Sequence, residues 1–426
     1  MHSPHLCVQA FVKSVWDIQQ SSPHPYVFQQ FGITYNVYVE ILSGVSHLVS
    51  CALGHADGDW HIKNCCVACN YHLEGEPKLH FSQLGTYDGN NSAKRMTHCA
   101  CDIDDNGDAS MSEHHNFHDG TAGYFLPQEC VDKWKHSAPQ ELLMQTSRPD
   151  NTVTEENPCA PQWYNMVHNK ESKMWGIFDE TGIFVAICHH GFILIAVDMV
   201  KSGELYVYFV QVINEVDHNI NCIARSNYPL AIVEYLIKNL GADLGMGYNI
   251  GCGFKDTINN SKLFSLAKVM NFQSLISIFH GHAHNHLCQL QNLGTYVKEL
   301  GLEDLEGCEQ LFSRLNALAR GYWYASWFYY HQYISSYFAH LDHYDRYSSL
   351  SNFLMNSYYQ ALAILNTQPM LLQMMDELGI TSTNNFKCWL EEEQAYLMSL
   401  TLEKEPKEET VQLEYIWKLV KLQELE

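Results

Sequence analysis

From Gly182 to Val200 the chain is almost unbroken hydrocarbon: Gly-Ile-Phe-Val-Ala-Ile-Cys, then His189-His190-Gly191, then Phe-Ile-Leu-Ile-Ala-Val-Asp-Met-Val. No other stretch restricts the fold as strongly, because a run this apolar must be covered on both faces or sit in lipid. The two histidines, the glycine and Asp198 interrupt it, and its β-branched and aromatic content suits extended chain. It therefore reads as two strands, Gly182–Cys188 and Phe192–Val200, joined at His189-His190-Gly191 in a hairpin. No transmembrane helix and no membrane partner are expected.

The flanking texture is mixed. Apolar residues recur at helical spacing from Val8 to Leu53, as in Val37, Ile41, Val45 and Leu48, which predicts a helical lead-in over 1–63. Lys78 to Tyr87 alternates as a strand that carries Asp88 at its tip, before Gly89-Asn90-Asn91. A helix is expected over Leu230–Leu240. Next comes the stretch Gly245-Met-Gly-Tyr-Asn249-Ile-Gly-Cys-Gly-Phe-Lys255, read as a short strand ending in a glycine-rich turn that projects Asn249. A helix over Ser261–Met270, an apolar segment Leu275–His280 and a helical pattern after Leu302 complete the order. The fold class is α/β (α+β): a mixed sheet with flanking helices in a core over 64–320, then a helical region over 321–426. Residues 99–125 and 147–161 lack periodicity and read as weakly ordered loops.

Charge narrows the function. Of 426 residues, 25 are Lys or Arg and 48 are Asp or Glu, a formal charge of −23. Nonspecific nucleic-acid binders usually present a broad basic surface, so any DNA contact here must be local or lie in another segment. Fifteen cysteines without a charged-then-apolar leader suggest reduced thiols in cytosol or nucleus, some of them metal ligands.

Several residues carry candidate chemistry. Cys66-x-x-Cys69 has the spacing of half a zinc site, with the second half open between Cys188 plus His190 and the His280–Cys288 cluster. In that cluster an extended backbone would align His280, His282, His284 and His286, whereas a helix would scatter them. His282, His286 and Cys288 are candidate ligands, with phosphate contact and polar packing as alternatives. The aromatic stripe Tyr322, Trp323, Tyr324, Trp327, Phe328, Tyr329, Tyr330 reads as core packing rather than a base-stacking surface, and Glu403–Glu409 as a solvated helix start. Three acid-type positions, Asp88, Asn249 and the segment Glu303-Asp-Leu-Glu306-Gly-Cys-Glu309, fall on elements ordered strand, hairpin, helix, strand, helix, strand, helix. That order matches a ribonuclease-H-like core, in which carboxylates converge on two divalent metals. From spacing alone, Asp88-Gly89 reads more readily as a turn than as a catalytic position.

Five longer words carry a resemblance. Leu84-Gly-Thr-Tyr-Asp88-Gly-Asn-Asn-Ser-Ala-Lys-Arg95, Phe178-Asp-Glu-Thr-Gly-Ile-Phe184 with Cys188-His-His-Gly191, Tyr248-Asn-Ile-Gly-Cys252, Phe279-His-Gly-His-Ala-His-Asn285 and Gly301-Leu-Glu-Asp-Leu-Glu-Gly-Cys-Glu309 closely resemble the fungal KDZ (Kyakuja-Dileera-Zisupton) transposases of the branch associated with CxC cysteine clusters. The resemblance implies a ribonuclease-H-like transposase core that cuts and joins DNA with Mg2+ or Mn2+, acts on transposon ends and target, works in the nucleus and assembles as a homo-oligomer. It implies that Asp88 is the first catalytic aspartate, Glu306 or Glu309 the final glutamate, and Cys66 with Cys69 a zinc pair. Asn249 stands where the family has Tyr-Asp-Ile-Gly-Cys, and an amide carries no charge for a hard cation. The expected reading is a degenerate, inactive copy, the alternatives being a DNA- or chromatin-binding protein that keeps the fold and an active nuclease in which Asp179 substitutes for the lost ligand. Ala93 and the Trp323–Trp327 neighbourhood also depart from the family pattern, and its basic N-terminal DNA-binding region has no expected counterpart here. Val207 to Asn227 interrupts the resemblance as an insertion, either a surface loop or an unspliced intron.

Overall fold

The computed structural model describes residues 8–20, 24–97, 123–135, 177–200, 226–402 and 415. The expected loop at 147–161, the tail Glu403–Glu409, and nearly all of the 99–125 loop and the Val207–Asn227 insertion lie outside the described residues.

Six strands form one mixed, open sheet: β1 (Gln83–Asn90), β2 (Arg95–Met96), β3 (Phe178–Cys188), β4 (Ile193–Val200), β5 (Leu244–Gly247) and β6 (Gln273–Leu275). β3 lies antiparallel to β1, from Gly85 opposite Cys188 to Asn90 opposite Ile183, and its other edge pairs antiparallel with β4. On its far side β1 pairs parallel with β5, which pairs parallel with β6. The short β2 continues the β1 edge along β3. The order across the sheet is thus β4-β3-β1-β5-β6, with β1 central.

The hairpin forms as its composition demands. Successive residues of β3 face opposite ways. Phe184, Ala186 and Cys188 enter one core with Tyr87 and the helix Asn227–Leu240, while Ile183, Val185 and Ile187 enter a second core with the helices Gly307–Leu315 and Trp327–His340. Helices on both faces explain why the run is continuously apolar. Truncating one of these fully buried side chains, for example Ile183→Ala, costs about 2–5 kcal/mol. At the hairpin tip Gly191 has φ +85°, and a Cβ there would lie 2.7 Å from the Arg346 guanidinium. Only glycine meets both constraints.

Two boundaries differ from the sequence reading. Strand β1 runs from Gln83 to Asn90, so Asp88 sits inside the strand rather than at its tip, because pairing with β3 continues through Gly89 and Asn90. The Glu303–Glu309 segment is not helical throughout. The helix begins at Gly307, with Glu306 as its N-cap residue and Leu305 at φ +56°. Leu305 lies against Gly247 of β5, where a Cβ would come within 2.6 Å of it, so that glycine lets the segment close over the sheet edge.

The N-terminal lead-in is two helices, Val8–Gln19 and Pro25–Leu53, joined by ring contacts such as Trp16–Phe28. From Tyr26 to Leu53 the second is long and apolar enough to cross a membrane by length and composition alone, although the sequence reading expects no span. Ile33, Val37, Ile41 and Leu48 are exposed along it, and Asn36 donates to the Tyr329 hydroxyl at 3.1 Å. The aromatic stripe is core only in part: Tyr322 and Tyr330 are fully buried and pack edge to face, whereas Tyr324 and Trp327 are exposed.

His331 pins the helix Trp327–His340 to β4. Its Nε2 lies 2.8 Å from Asp198 Oδ2, its Nδ1 lies 2.8 Å from the Trp327 carbonyl, and the residue is fully buried. Burial works against the charged ring, but the hydrogen bond and charge of Asp198 outweigh it and hold the His331 pKa above its ordinary value. A histidine with a raised folded-state pKa contributes stability that is complete below about pH 6.5 and is lost as pH rises through the raised value. The melting temperature of the protein should therefore fall as pH is raised above about 6.5, and His331→Gln should flatten that dependence. Breaking such a buried pair should cost on the order of 3 kcal/mol. An unchanged pH profile in His331→Gln contradicts the assignment.

Candidate functional site

Because β1 is flanked by β3 and β5, its side chains alternate between two buried layers. Tyr87 points into the first core, its hydroxyl 3.1 Å from Ser274 Oγ. Thr86 points the other way and donates to Cys308 Sγ at 3.2 Å. Asp88 shares the Thr86 face and is 5 % exposed. Its Oδ1 accepts from the Gly89 N–H at 2.8 Å, and its Oδ2 accepts from Asn249 Nδ2 at 2.7 Å. Asn249 occupies the turn between β5 and the helix Gly251–Asn259. Since a carboxylate only accepts, the amide must turn its NH2 toward Asp88. Its oxygen then accepts from Ser277 Oγ at 3.2 Å.

Glu306 approaches the same neighbourhood from the third segment. Its Oε1 accepts from the Phe279 N–H at 2.8 Å, and its Oε2 lies 3.8 Å from His280 Nδ1. Ser277 Oγ is 3.3 Å from that same His280 nitrogen, while Glu309, half exposed, reaches His280 Nε2 at 3.9 Å. The Glu306 carboxylate beside it, opposed by burial and helped by the charges of Glu309 and Asp88, raises the His280 pKa. Burial pushes Glu306 up, but the nearby His280 ring and the hydrogen bond from the Phe279 amide leave it below the usual carboxylate range. Asp88, Asn249, Ser277, His280 and Glu306 therefore form one connected polar chain. Ser277 and His280 were not singled out for this site by sequence. Their only signal was proximity to the His-rich word.

Asp179 lies elsewhere. It pairs with Arg95 Nη2 at 3.2 Å and accepts from Thr97 Oγ1 at the start of β3. Asp88 sits opposite Val185, six positions along that strand, or roughly 20 Å away.

The second assembly stands at the other end of β3. Sγ of Cys66, Cys69 and Cys188 and a nitrogen of His190 all lie within 4.8 Å of one another, a set that could hold a metal such as zinc. His190 Nδ1 is 3.4 Å from Cys66 Sγ and 3.3 Å from Cys69 Sγ. Behind it runs a relay: His190 Nε2 is 3.0 Å from His189 Nε2, and His189 Nδ1 is 2.9 Å from Glu303 Oε2. If Glu303 accepts from His189 and His189 accepts from His190, the lone pair of His190 Nδ1 faces the sulfurs, the tautomer a metal requires. Hydrogen bonds from Cys188 and Cys69 pull the Cys66 thiol well down. The Cys188 bond also pulls on Cys69, but Cys66 and burial push that thiol up to about 12, and burial raises Cys188. A cation among the three sulfurs would favour their ionised forms. His189 and Glu303 were not recognised as part of this group from sequence.

The His280–Cys288 cluster does not supply this set, and its histidines do not share a face. A helical turn, Ile278–Gly281, and the helix His286–Asn292 scatter them. His282 is exposed, and His286 is half exposed and pairs with Glu393 at 2.9 Å. Of the three expected ligands in this cluster, only Cys288 lies in a metal-capable group, with Cys252 and His284 rather than His282 and His286.

The Glu303 relay generates a test. Replacing a carboxylate behind a ligating histidine typically lowers metal affinity by about 10- to 100-fold. Glu303→Gln should weaken zinc binding at the Cys66 group by that factor in competition with a chromophoric chelator, with the fold intact by circular dichroism. Unchanged affinity contradicts the relay.

Comparison with known proteins gives one positive finding: the family model of the Kyakuja-Dileera-Zisupton transposase matches residues 81–226 and 223–342. The two segments take in all six strands, the Asp88–Asn249–Glu306 neighbourhood and more than half of the 426 residues, while Cys66 and Cys69 lie before them. No curated protein and no solved structure matches. The chain belongs to the Kyakuja-Dileera-Zisupton (KDZ) transposase family.

Proposed function

We propose that this chain is a degenerate KDZ transposase, of the fungal branch associated with CxC clusters, that keeps the fold and has lost DNA cleavage and strand transfer. The observation that carries the reading is the Asn249 amide donating to Asp88. Family membership suggests a transposase-like function with DNA as partner. The strand order β4-β3-β1-β5-β6, in which β1, β5 and β6 run parallel and β3 and β4 antiparallel, supports a ribonuclease-H-like core. In such a core Asp88, the residue at 249 and Glu306 or Glu309 are the positions for cation ligands.

These residues do not fit a pair of Mg2+ or Mn2+ ions. Two hard cations sharing a phosphate need several convergent anionic oxygens. Position 249 supplies an amide whose N–H side occupies one Asp88 oxygen, and Glu306 is engaged by Phe279 N–H and His280. Developing charge on attacking and leaving oxygens then lacks its stabilising partner. No cleavage step is derived.

A second reading, a non-catalytic DNA- or chromatin-binding module in the nucleus, is favoured by one feature. A cleft of about 450 Å3 beside β6 is lined by Lys255, Lys268, Lys298 and His80, with no carboxylate among its lining residues. In a chain of charge −23 such a patch supplies the local cation surface that phosphate contact requires. Asp88, Asn249 and Glu306 are not among its lining residues, so variants there separate binding from chemistry.

Supercoiled-plasmid cleavage in Mg2+ or Mn2+ tests the first reading. The unmodified chain should leave plasmid intact, and Asn249→Asp should bind Mn2+ about tenfold tighter or more, since an added anionic ligand raises affinity for a hard cation. Cleavage by the unmodified chain that disappears in Asp88→Ala contradicts degeneracy. For the second reading, affinity for duplex DNA should fall steeply with salt, and Lys255→Ala with Lys268→Ala should reduce that slope by about two. Absence of salt-dependent binding removes it.

A further inference from the structure

A second cysteine–histidine group stands directly behind position 249. Cys252 is in the first turn of the helix Gly251–Asn259, His284 in the loop after Ile278–Gly281, and Cys288 in the first turn of the helix His286–Asn292. All three are buried, and their ligand atoms lie within 4.8 Å of one another. His284 Nδ1 is 3.5 Å from Cys252 Sγ and 3.5 Å from Cys288 Sγ.

Hydrogen bonding alone accounts poorly for this arrangement. His284 Nε2 is 3.1 Å from the Asn249 carbonyl oxygen, which only accepts, so Nε2 carries the proton. In the neutral ring Nδ1 then has a single lone pair, yet it faces two sulfurs at equal distance. One lone pair cannot take two linear S–H donors, but it can share a cation with two thiolates. A tetrahedral zinc about 2.3 Å from each sulfur and about 2.1 Å from the nitrogen sets S···N separations of about 3.6 Å. The Asn292 amide, 3.6 Å from Cys288 Sγ, supplies the donor that a ligating sulfur attracts. Asn285 caps the helix by accepting from the Cys288 N–H at 2.8 Å, which fixes that ligand's backbone.

We infer that Cys252, His284 and Cys288 form a second thiolate-imidazole zinc centre, separate from the Cys66 group, with its fourth position left to solvent. No further Cys, His, Asp or Glu among the described residues completes the set. Three protein ligands and an open position are the count seen in exchangeable rather than closed zinc sites. The centre clamps the start of the helix Gly251–Asn259 to the helix His286–Asn292, and through His284 it holds the backbone carbonyl of the residue at 249. It does not depend on whether the chain cleaves DNA.

The test is metal content of the full chain, purified without chelator and dialysed against zinc, by plasma mass spectrometry. Two zinc ions per chain are expected, falling to one in Cys288→Ser, to one in Cys66→Ser and to none when both are changed. A single zinc that Cys66→Ser removes overturns the inference, as does a stoichiometry of two that Cys288→Ser leaves unchanged. Because a serine variant can fail to fold, cadmium-113 resonance spectra of the unmodified chain give an independent readout. Two signals are expected, one shifted as for three sulfurs and one nitrogen, the other as for two sulfurs and one nitrogen. The three-sulfur signal alone overturns the second centre.

Discussion

Pairing on both edges of β1 is the constraint on which the rest of the molecule depends. Antiparallel β3 on one side and parallel β5 on the other leave β1 no exposed edge, so alternate side chains are committed to two opposed layers. Tyr87 fills one layer. Thr86 and Asp88 face the other, where Thr86 donates to Cys308 on the helix Gly307–Leu315. A carboxylate buried there must be hydrogen-bonded or paired. The Asn249 amide and the Gly89 N–H meet that requirement.

The segment from Glu303 to Glu309 links the two assemblies. Glu303 ends the His190-His189 relay behind the Cys66 group, and three residues later Glu306 reaches Phe279 N–H and His280 beside Asn249. Leu305, between them, is buried against Gly247.

Much of this was legible before any coordinates. The apolar run with a histidine-histidine-glycine break could only be a covered hairpin, and the words around Asp88, Asn249 and Glu306 identified the family because each carries several unusual residues in order. The sequence did not reveal where strands stop, because strand ends are decided by pairing: β1 extends past Asp88 only because β3 is opposite it. Nor did it reveal which histidines meet. Alternation in His280–His286 suggested one shared face, but Asn285 caps a new helix and turns His284 inward while His282 and His286 point to solvent. Cys252 escaped notice as a ligand because its partners lie more than thirty positions away and no short spacing announces them. The helical spacing over Val8–Leu53 predicts a helix there but not its cover, and the apolar residues of Pro25–Leu53 remain largely exposed.

The amide at 249 is the centre of the account, and the anomalous scattering of manganese tests it most directly. Crystals of the unmodified chain soaked in MnCl2 should show no manganese peak between Asp88, Asn249 and Glu306, with the Asn249–Asp88 hydrogen bond intact. Two manganese peaks bridged by Asp88, with Glu306 or Glu309 turned toward them, would contradict it and make this chain an active-site-competent transposase.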